Sequence, residues 1–250
     1  MAPALTIVNK SIQFPVVSLI NVSSSVFIHI AAEIDLRPVF FPNSRKKNQL
    51  IRRCKELCKQ LQDVSGIINA RLFEAILIPP GKGEFIKRRK EQVHIARFDL
   101  AILIECESFE FAERILAHPA YDELVRNIST TASFTHKITA TNVRRIAPVN
   151  YAQGGVFLFN YFFADDVAQN LAVWDYTAGW FQAETGLDNS VLLLPIDPVD
   201  SKYTLINHCR WDNLGQVLPS IIFKKTFHTY VLENFSANNV GPMPILYRLA

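Results

Sequence analysis

The strongest constraint on the fold is an order of secondary-structure elements that occurs twice along the chain. Residues 23–34 read as an alternating apolar strand, and residues 45–67 carry apolar side chains at helical spacing. The first half continues with predicted strands at 69–79 and 94–108, a helix at 109–128 and a strand at 136–149. Its order is strand, helix, strand, strand, helix, strand.

The second half of the chain repeats this order. Its predicted strands are 154–165, 189–197, 202–211 and 243–250, and its predicted helices are 168–187 and 215–235. Local matches run in the same order, since residues 65–76 resemble 185–196: each has a glycine that ends a helix and an asparagine three residues later. This collinear self-similarity indicates a duplicated unit.

Each unit reads as a ferredoxin-like module, a four-stranded antiparallel sheet with two helices on one face. The other face of each sheet is bare, and two modules can bury these faces against each other. We therefore predict an α+β fold of two tandem ferredoxin-like βαββαβ modules packed sheet to sheet as a dimeric-α/β-barrel-like unit. The predicted division is an N-terminal arm at 1–22, a first module at 23–149 and a second at 154–250.

Composition and charge argue against several classes of protein. The 250 residues carry a formal net charge of only +3, which by itself does not indicate a nucleic-acid or membrane partner. No apolar run reaches the length of about 18 residues that a membrane-spanning helix needs. The four cysteines lack CxxC or zinc-ligand spacing, so we expect reduced thiols and a cytoplasmic protein.

Basic residues cluster at two places in the first half. The segment 80–92 is expected to be a solvated hairpin loop, because its glycine–lysine pair lacks the order of a phosphate-binding loop. The basic side chains that begin the first predicted helix, Lys47 among them, are expected to face solvent. No aromatic platform accompanies either cluster, so nucleic-acid binding is not expected.

The predicted strand at 202–211 carries unusual polar groups. Side chains alternate along a strand, so Asn207, Cys209 and Trp211 share one face and His208 lies on the other. The corresponding strand of the first half is aliphatic on that face. A buried amide without a partner costs roughly 1–3 kcal/mol, so Asn207 is expected to have a hydrogen-bond partner.

The spacing of Asn207 and Trp211 resembles the Asn-x-x-x-Trp signature of the antibiotic biosynthesis monooxygenase family. Those small ferredoxin-like proteins oxidise polycyclic phenols with dioxygen and without metal, haem or flavin. The resemblance implies that Asn207 hydrogen-bonds a substrate oxyanion or a peroxide and that Trp211 stacks on the rings. The family also has a tyrosine six residues beyond the tryptophan, where this chain has Val217.

If the resemblance holds, further side chains of the second module would bind the substrate. Trp174 is expected to point inward from its helix, and Tyr176 or Tyr203 could replace the missing phenol as proton donor. Cys209 lies on the same strand face as Asn207. The leading hypothesis is a cofactor-independent oxygenase-like protein that acts on a small aromatic or polyketide-type compound.

Several alternatives remain open from the sequence. The same fold could bind a small hydrophobic or aromatic molecule without catalysis, assemble with other chains, for instance as a homodimer, or act as a cyclase or isomerase. A haem-binding relative would need an axial histidine, for which His136, His208 and His228 are the candidates. A pocket of several hundred Å³ beside Trp211 would favour a ligand there, and tight packing would favour a structural role.

Overall fold

Eight antiparallel strands close into one barrel. The computed structural model describes residues 4–35, 37–38, 41–79, 83–199 and 201–250. The first half supplies β1 (Val26–Glu33), β2 (Ile67–Leu77), β3 (Leu100–Cys106) and β4 (Phe134–Ala147). The second half supplies β5 (Val156–Ala164), β6 (Ser190–Pro195), β7 (Leu205–Trp211) and β8 (Val240–Leu249). The predicted α+β class is confirmed.

The strand order is the same in both halves. Around the barrel it runs β1-β3-β2-β8-β5-β7-β6-β4, so each half forms a sheet with its fourth, first, third and second strands side by side. The two sheets join at both edges, where β2 pairs with β8 and β4 pairs with β6. Their inner faces therefore enclose a single barrel interior.

Helices cover the outside of the barrel. The first half has α1 (Arg45–Gln62), α2 (Glu84–Arg88), α3 (Phe109–Leu116) and α4 (Pro119–Ser129). The second has α5 (Val167–Thr185), α6 (Leu214–Phe223), a π-helical segment (Phe227–Leu232) and α7 (Glu233–Ala237). Among the residues that the structure describes, no helix is both long and apolar enough to cross a membrane.

Two helices that were predicted as continuous are divided. The predicted helix 109–128 breaks before Pro119, since proline lacks an amide donor and disfavours helical backbone at the residue before it. His118 caps the second part by accepting a hydrogen bond from the amide of Ala120. The predicted helix 215–235 ends at Phe223, because Lys224 has an extended backbone.

The two basic clusters also differ from expectation. Residues 84–88 of the predicted hairpin loop form the short helix α2, while residues 80–82 lie outside the described residues. The prediction that Lys47 faces solvent is wrong. Its side chain is buried, and its Nζ lies 3.0 Å from Oδ2 of Asp99, because the start of α1 packs over the segment that leads into β3.

The N-terminal arm, residues 4–22 of the described chain, has no helix or strand and packs on the helices of the second half. Val17 is buried in the same apolar cluster as Val173 and Trp180 of α5. Helix α5 is apolar on several sides, which fits an element covered both by the barrel and by the arm.

All four cysteines of the chain are buried and free.

Candidate functional site

Strand β7 presents different chemistry on its two faces. It lies between β5 and β6 in the barrel wall, and all its residues are buried. Cys209 and Trp211 face outward and pack with Val217 of α6. Ile206 and His208 face the aromatic barrel interior. The alternation predicted from the sequence is present, and each face borders a separate cavity.

On the outward face, Asn207 has the hydrogen-bond partner that burial requires. The hydroxyl of Ser190 donates to Oδ1 of Asn207 at 2.6 Å, and Nδ2 of Asn207 lies 3.9 Å from the sulfur of Cys209. Asn160 is directly opposite on β5. Its buried Oδ1 has no hydrogen-bond partner among the described residues.

The indole of Trp211 is also tied to its surroundings. Its Nε1 donates to the hydroxyl of Thr185 at 2.9 Å, at the last residue of α5. The Thr185 hydroxyl donates in turn to the carbonyl of Phe181. These bonds join β7 to the end of α5.

The space left between this face of β7 and α5 is small. The helix-side cavity, as we call it, is lined by Asn207, Trp211, Trp174 and Cys209 and has a volume of about 30 Å³. A water molecule needs roughly 10–15 Å³ by this kind of measure, so the cavity holds two or three waters at most. A pocket for a small organic ligand has about 300–1,000 Å³.

Four of the six site residues that the sequence suggested surround this cavity, and two do not. The ring of Tyr176 stacks on that of Tyr230 with 4.9 Å between centroids, in the layer of the second-half helices. Tyr203 packs in the barrel interior and donates a hydrogen bond to the carbonyl of His94 at 3.0 Å. Neither phenol lines the helix-side cavity.

Burial also limits the chemistry of the cysteine in this group. Burial raises the pKa of the Cys209 thiol well above its usual range. The thiol therefore stays protonated at neutral pH, and the thiolate that would act as a nucleophile is not formed.

A second cavity opens at one end of the barrel, on the inward face of β7. This mouth cavity has a volume of about 280 Å³ and is lined on its apolar side by Phe27, Leu103, Val191 and Leu193. It is roughly nine times larger than the helix-side cavity and approaches the size of known ligand pockets.

A phenol and an imidazole form one wall of the mouth cavity. His208 Nδ1 lies 2.9 Å from the carbonyl oxygen of Leu158, which can only accept, so Nδ1 carries the proton. Nε2 therefore accepts from the hydroxyl of Tyr151 at 3.0 Å. Burial lowers the pKa of His208 to about 3 and raises the pKa of Tyr151 far above its usual range. Both groups are neutral at pH 7.

Charged side chains surround the opening of the mouth cavity. Glu105 and Arg145 both line it, together with Asn69, whose amide lies 3.4 Å from the Glu105 carboxylate. Arg71 next to Asn69 on the inner face of β2 has a buried Nε that lacks a hydrogen-bond partner among the described residues. The opening thus offers a guanidinium donor and a carboxylate acceptor above an apolar floor.

The sequence contained a signal for this site that was not interpreted. His208 was recognised as lying opposite Asn207, and Glu105 belongs to a strand of otherwise aliphatic residues. A glutamate among buried aliphatic residues indicates a place where a strand approaches solvent or a ligand. Which cavity is larger depends on side chains from several elements, and this information is absent from the pattern of a single strand.

The three candidate axial histidines differ: His208 has no free ring nitrogen, Nδ1 of the buried His136 lacks a hydrogen-bond partner among the described residues, and His228 is exposed. Both ring nitrogens of His208 are used by Leu158 and Tyr151. Nε2 of His136 accepts from the amide of Lys202 at 3.4 Å, and its ring packs edge-on against Tyr203. In the described part of the chain, no group of three or more His, Cys, Asp or Glu side chains could hold a metal ion.

Comparison with known proteins shows likeness in fold. An anthrone oxidase-like protein is 10% identical over 91% of this chain and 92% of that protein, with a TM-score of 0.64. The chain shares the fold of this protein. A proposed monooxygenase from Fusobacterium nucleatum is 8% identical over 91% of this chain and 93% of its own, with a TM-score of 0.56. The predicted resemblance is confirmed as a likeness in fold.

Comparison at the level of sequence gives no match. No protein-family model matches the chain, and no curated protein matches it. The likeness in fold therefore leaves the reaction and the ligand to be argued from the cavities that border β7, because one fold serves many functions.

Proposed function

We propose that this protein binds a small, largely apolar organic molecule with polar groups at its ends, and that it does so in the mouth cavity. The observation that carries this proposal is the contrast in volume, about 280 Å³ at the barrel mouth against about 30 Å³ beside Asn207. Concave, mostly apolar cavities with a few convergent polar groups are the usual sites for such ligands.

The lining supports a flat aromatic ligand with an oxygen at each end. Phe27, Leu103 and Leu193 offer an apolar surface for the ring system. Arg145 can donate hydrogen bonds to an acidic or carbonyl oxygen, and Glu105 can accept one from a hydroxyl group. An aromatic hydroxy acid satisfies both charged side chains.

The oxygenase hypothesis placed the substrate on the other face of β7. An enzyme of that kind would bury a polycyclic phenol beside Asn207 and Trp211, and a cavity of about 30 Å³ does not admit a single ring. Our proposal therefore gives Asn207 and Trp211 a structural role, in which they join β7 to β6 and α5. It is the non-catalytic, ligand-binding alternative of the same fold.

We also propose that residues 23–149 and 154–250 are two copies of one ancestral module. The equal strand order of the two sheets supports this division. The copies have since diverged at the barrel mouth, where His208 of the second half corresponds to Leu103 of the first. Leu103 of β3 pairs with His29 of β1, and His208 of β7 pairs with Phe159 of β5.

Isothermal titration with 6-hydroxy-2-naphthoic acid tests the ligand proposal. We expect saturable binding that Arg145→Gln weakens about tenfold, because a charge-assisted hydrogen bond worth about 1.4 kcal/mol is lost. The matched control is Arg144→Gln, since the neighbouring guanidinium turns to the other side and pairs with Asp175 at 2.8 Å. Equal affinities for the two variants, or no binding by the unaltered protein, would refute the proposal.

A further inference from the structure

Two asparagine side chains near the end of the chain bind the backbone of the N-terminal arm. Oδ1 of Asn238 accepts from the amide of Thr6, and its Nδ2 donates to the Thr6 carbonyl, both at 2.9 Å. Oδ1 of Asn234 accepts from the amide of Val8 at 3.0 Å, and its Nδ2 lies 3.5 Å from the Val8 carbonyl. Each side-chain amide pairs with the arm as a neighbouring β-strand would.

The distance between the two asparagines along their helix is close to the distance between the two arm residues that they bind. Asn234 and Asn238 are four residues apart, which is about 6 Å along a helix. Thr6 and Val8 are two residues apart, which is about 6.6 Å along an extended backbone. The bonds use only main-chain atoms of the arm, so they do not depend on which side chains it carries.

A glycine of α5 provides a third contact with the main chain of the arm. A Cβ atom at Gly179 would lie 1.7 Å from the carbonyl oxygen of Pro15, a distance that no real contact allows. Only glycine lets the arm come this close to the helix.

Apolar side chains of the arm supply the rest of the contact. Leu5, Ile12 and Phe14 pack against the apolar cluster of the second half, and the ring of Phe14 lies 4.8 Å from that of Tyr230. Main-chain pairing combined with pockets for a few side chains is how proteins recognise extended peptides.

We propose that this surface, the arm groove defined by Gly179, Asn234 and Asn238, is a peptide-binding site that accepts the N-terminal arm of a second copy in place of the chain's own. Copies of the protein then associate by arm exchange, since every contact made within one chain is available between two. The site is separate from the mouth cavity and does not depend on the function proposed for it.

The chain between the arm groove and β1 supports exchange between copies. Residues 18–25 form no helix or strand, and hydrogen bonds to β4 begin only at Ile20, so the path of the chain can change at residues 18–19 without breaking a regular element or these bonds. Val16 has 85% of its surface exposed, and Leu19, Ile20 and Val22 are also exposed. In an exchanged pair these apolar side chains lie where the two chains cross, and burying them there stabilises the pair.

The test uses the full chain with a protease site inserted after Leu19. After cleavage, the arm is held only by its non-covalent contacts, and a fluorescent peptide of residues 4–17 competes for the groove. We expect saturable binding of this peptide. N-methylation of the Thr6 and Val8 amides is expected to weaken it at least tenfold, because two donors are lost.

N-methylation of the Ile7 amide is the matched control, since that amide donates no hydrogen bond within the described chain. Peptide modification leaves the folding of the protein unaltered. On the protein side, Asn234→Ala is compared with Asn127→Ala. Asn127 also donates to a carbonyl four residues earlier in its helix, at 2.7 Å, but it lies on α4 of the first half, away from the arm. Only Asn234→Ala is expected to weaken binding.

Association is measured on the uncut chain by mixing preparations labelled with donor and acceptor dyes. Arm exchange predicts energy transfer that rises with protein concentration and disappears with excess unlabelled peptide. Failure of the peptide to bind, or equal binding of the two methylated peptides, would overturn the peptide site. Absence of energy transfer would overturn the exchange between copies.

Discussion

At the scale of single residues, the hydrogen bond between Ser190 and Asn207 decides how the most unusual strand of the sequence is interpreted. The Ser190 hydroxyl is fully buried and donates to Oδ1 of Asn207 at 2.6 Å. This bond gives the buried amide oxygen of Asn207 a partner within the protein, so that oxygen does not need a substrate. The amide that the sequence marked as catalytic is therefore explained by the packing of β6 against β7.

This explanation predicts an effect on stability. Asn207→Ala is expected to lower the free energy of unfolding by about 1–3 kcal/mol, because the Ser190 hydroxyl loses its acceptor in a buried site. In a Ser190→Ala background the same change should cost about 1 kcal/mol less, since the two residues share one bond. Urea unfolding of the four proteins gives both values.

The oxygenase hypothesis predicts a different outcome for the same variants. It expects oxygen consumption with a phenolic substrate that Asn207→Ala abolishes, with little coupling between Asn207 and Ser190. An oxygen electrode and the unfolding curves together distinguish the two accounts, and turnover that depends on Asn207 would contradict ours.

At the scale of elements, the sequence predicted all eight strands of the barrel, but it missed the short helix α2 and two breaks in helices. The alternation along β7 placed Asn207 and His208 on opposite faces, as observed. The break before Pro119 had a local signal in the proline itself. The change from α6 to the π-helical segment had no such signal, because it depends on packing against other elements.

The residues of the candidate site also divide into those that the sequence could place and those that it could not. Trp174, Cys209, Asn207 and Trp211 could be grouped from strand and helix periodicity. Tyr176 and Tyr203 could not be placed, since periodicity gives the face of an element but not which neighbour covers that face. The mouth cavity joins β1, β2, β3, β4, β6 and β7 with the linker at Tyr151, so its volume depends on the closed barrel.

Helix α5 provides a prediction about the arm. In an exposed helix, glycine to alanine favours folding by about 1 kcal/mol. At Gly179 the sign should reverse, because the new Cβ would overlap the Pro15 carbonyl at 1.7 Å. Gly179→Ala is therefore expected to release the arm, which limited proteolysis would detect as faster cleavage before residue 23. Gly154→Ala is the control, since a Cβ there meets nothing within 4 Å, and equal cleavage of the two variants would contradict the docking of the arm.

At the scale of the whole molecule, the barrel interior holds three buried histidines that stay neutral. Burial lowers the pKa of His29 to about 4 and the pKa values of His136 and His208 to about 3. The unfolded chain binds these protons with a pKa of about 6.5. The unfolded state therefore binds more protons between pH 6.5 and 4, and acid in this range favours unfolding.

The stabilisation is complete above pH 6.5 and is lost as the pH falls toward the folded pKa values. Each histidine contributes about 1.4 kcal/mol per pH unit below its unfolded pKa of about 6.5, so the free energy of unfolding should fall by about 4 kcal/mol in total between pH 7.5 and 5.5. Asp99, whose pKa burial raises, opposes this trend. Urea unfolding at several pH values measures the slope.

Variants of single histidines test whether this pH dependence of the free energy of unfolding comes from the barrel interior. His29→Leu should remove about a third of it, because one of three buried imidazoles is gone. His228→Gln should leave it unchanged, since His228 is exposed on the π-helical segment. Stability that does not change between pH 7.5 and 5.5 would contradict the burial of neutral histidines.

The location of a bound ligand tests the central claim that the barrel mouth, and not the space beside Asn207, is the binding site. The direct measurement is a crystal structure of the protein with 6-hydroxy-2-naphthoic acid. We predict ligand density against Phe27 and Leu103, with its polar ends at Arg145 and Glu105. Density beside Trp174 and Asn207, with the mouth cavity empty of ligand, would contradict the account.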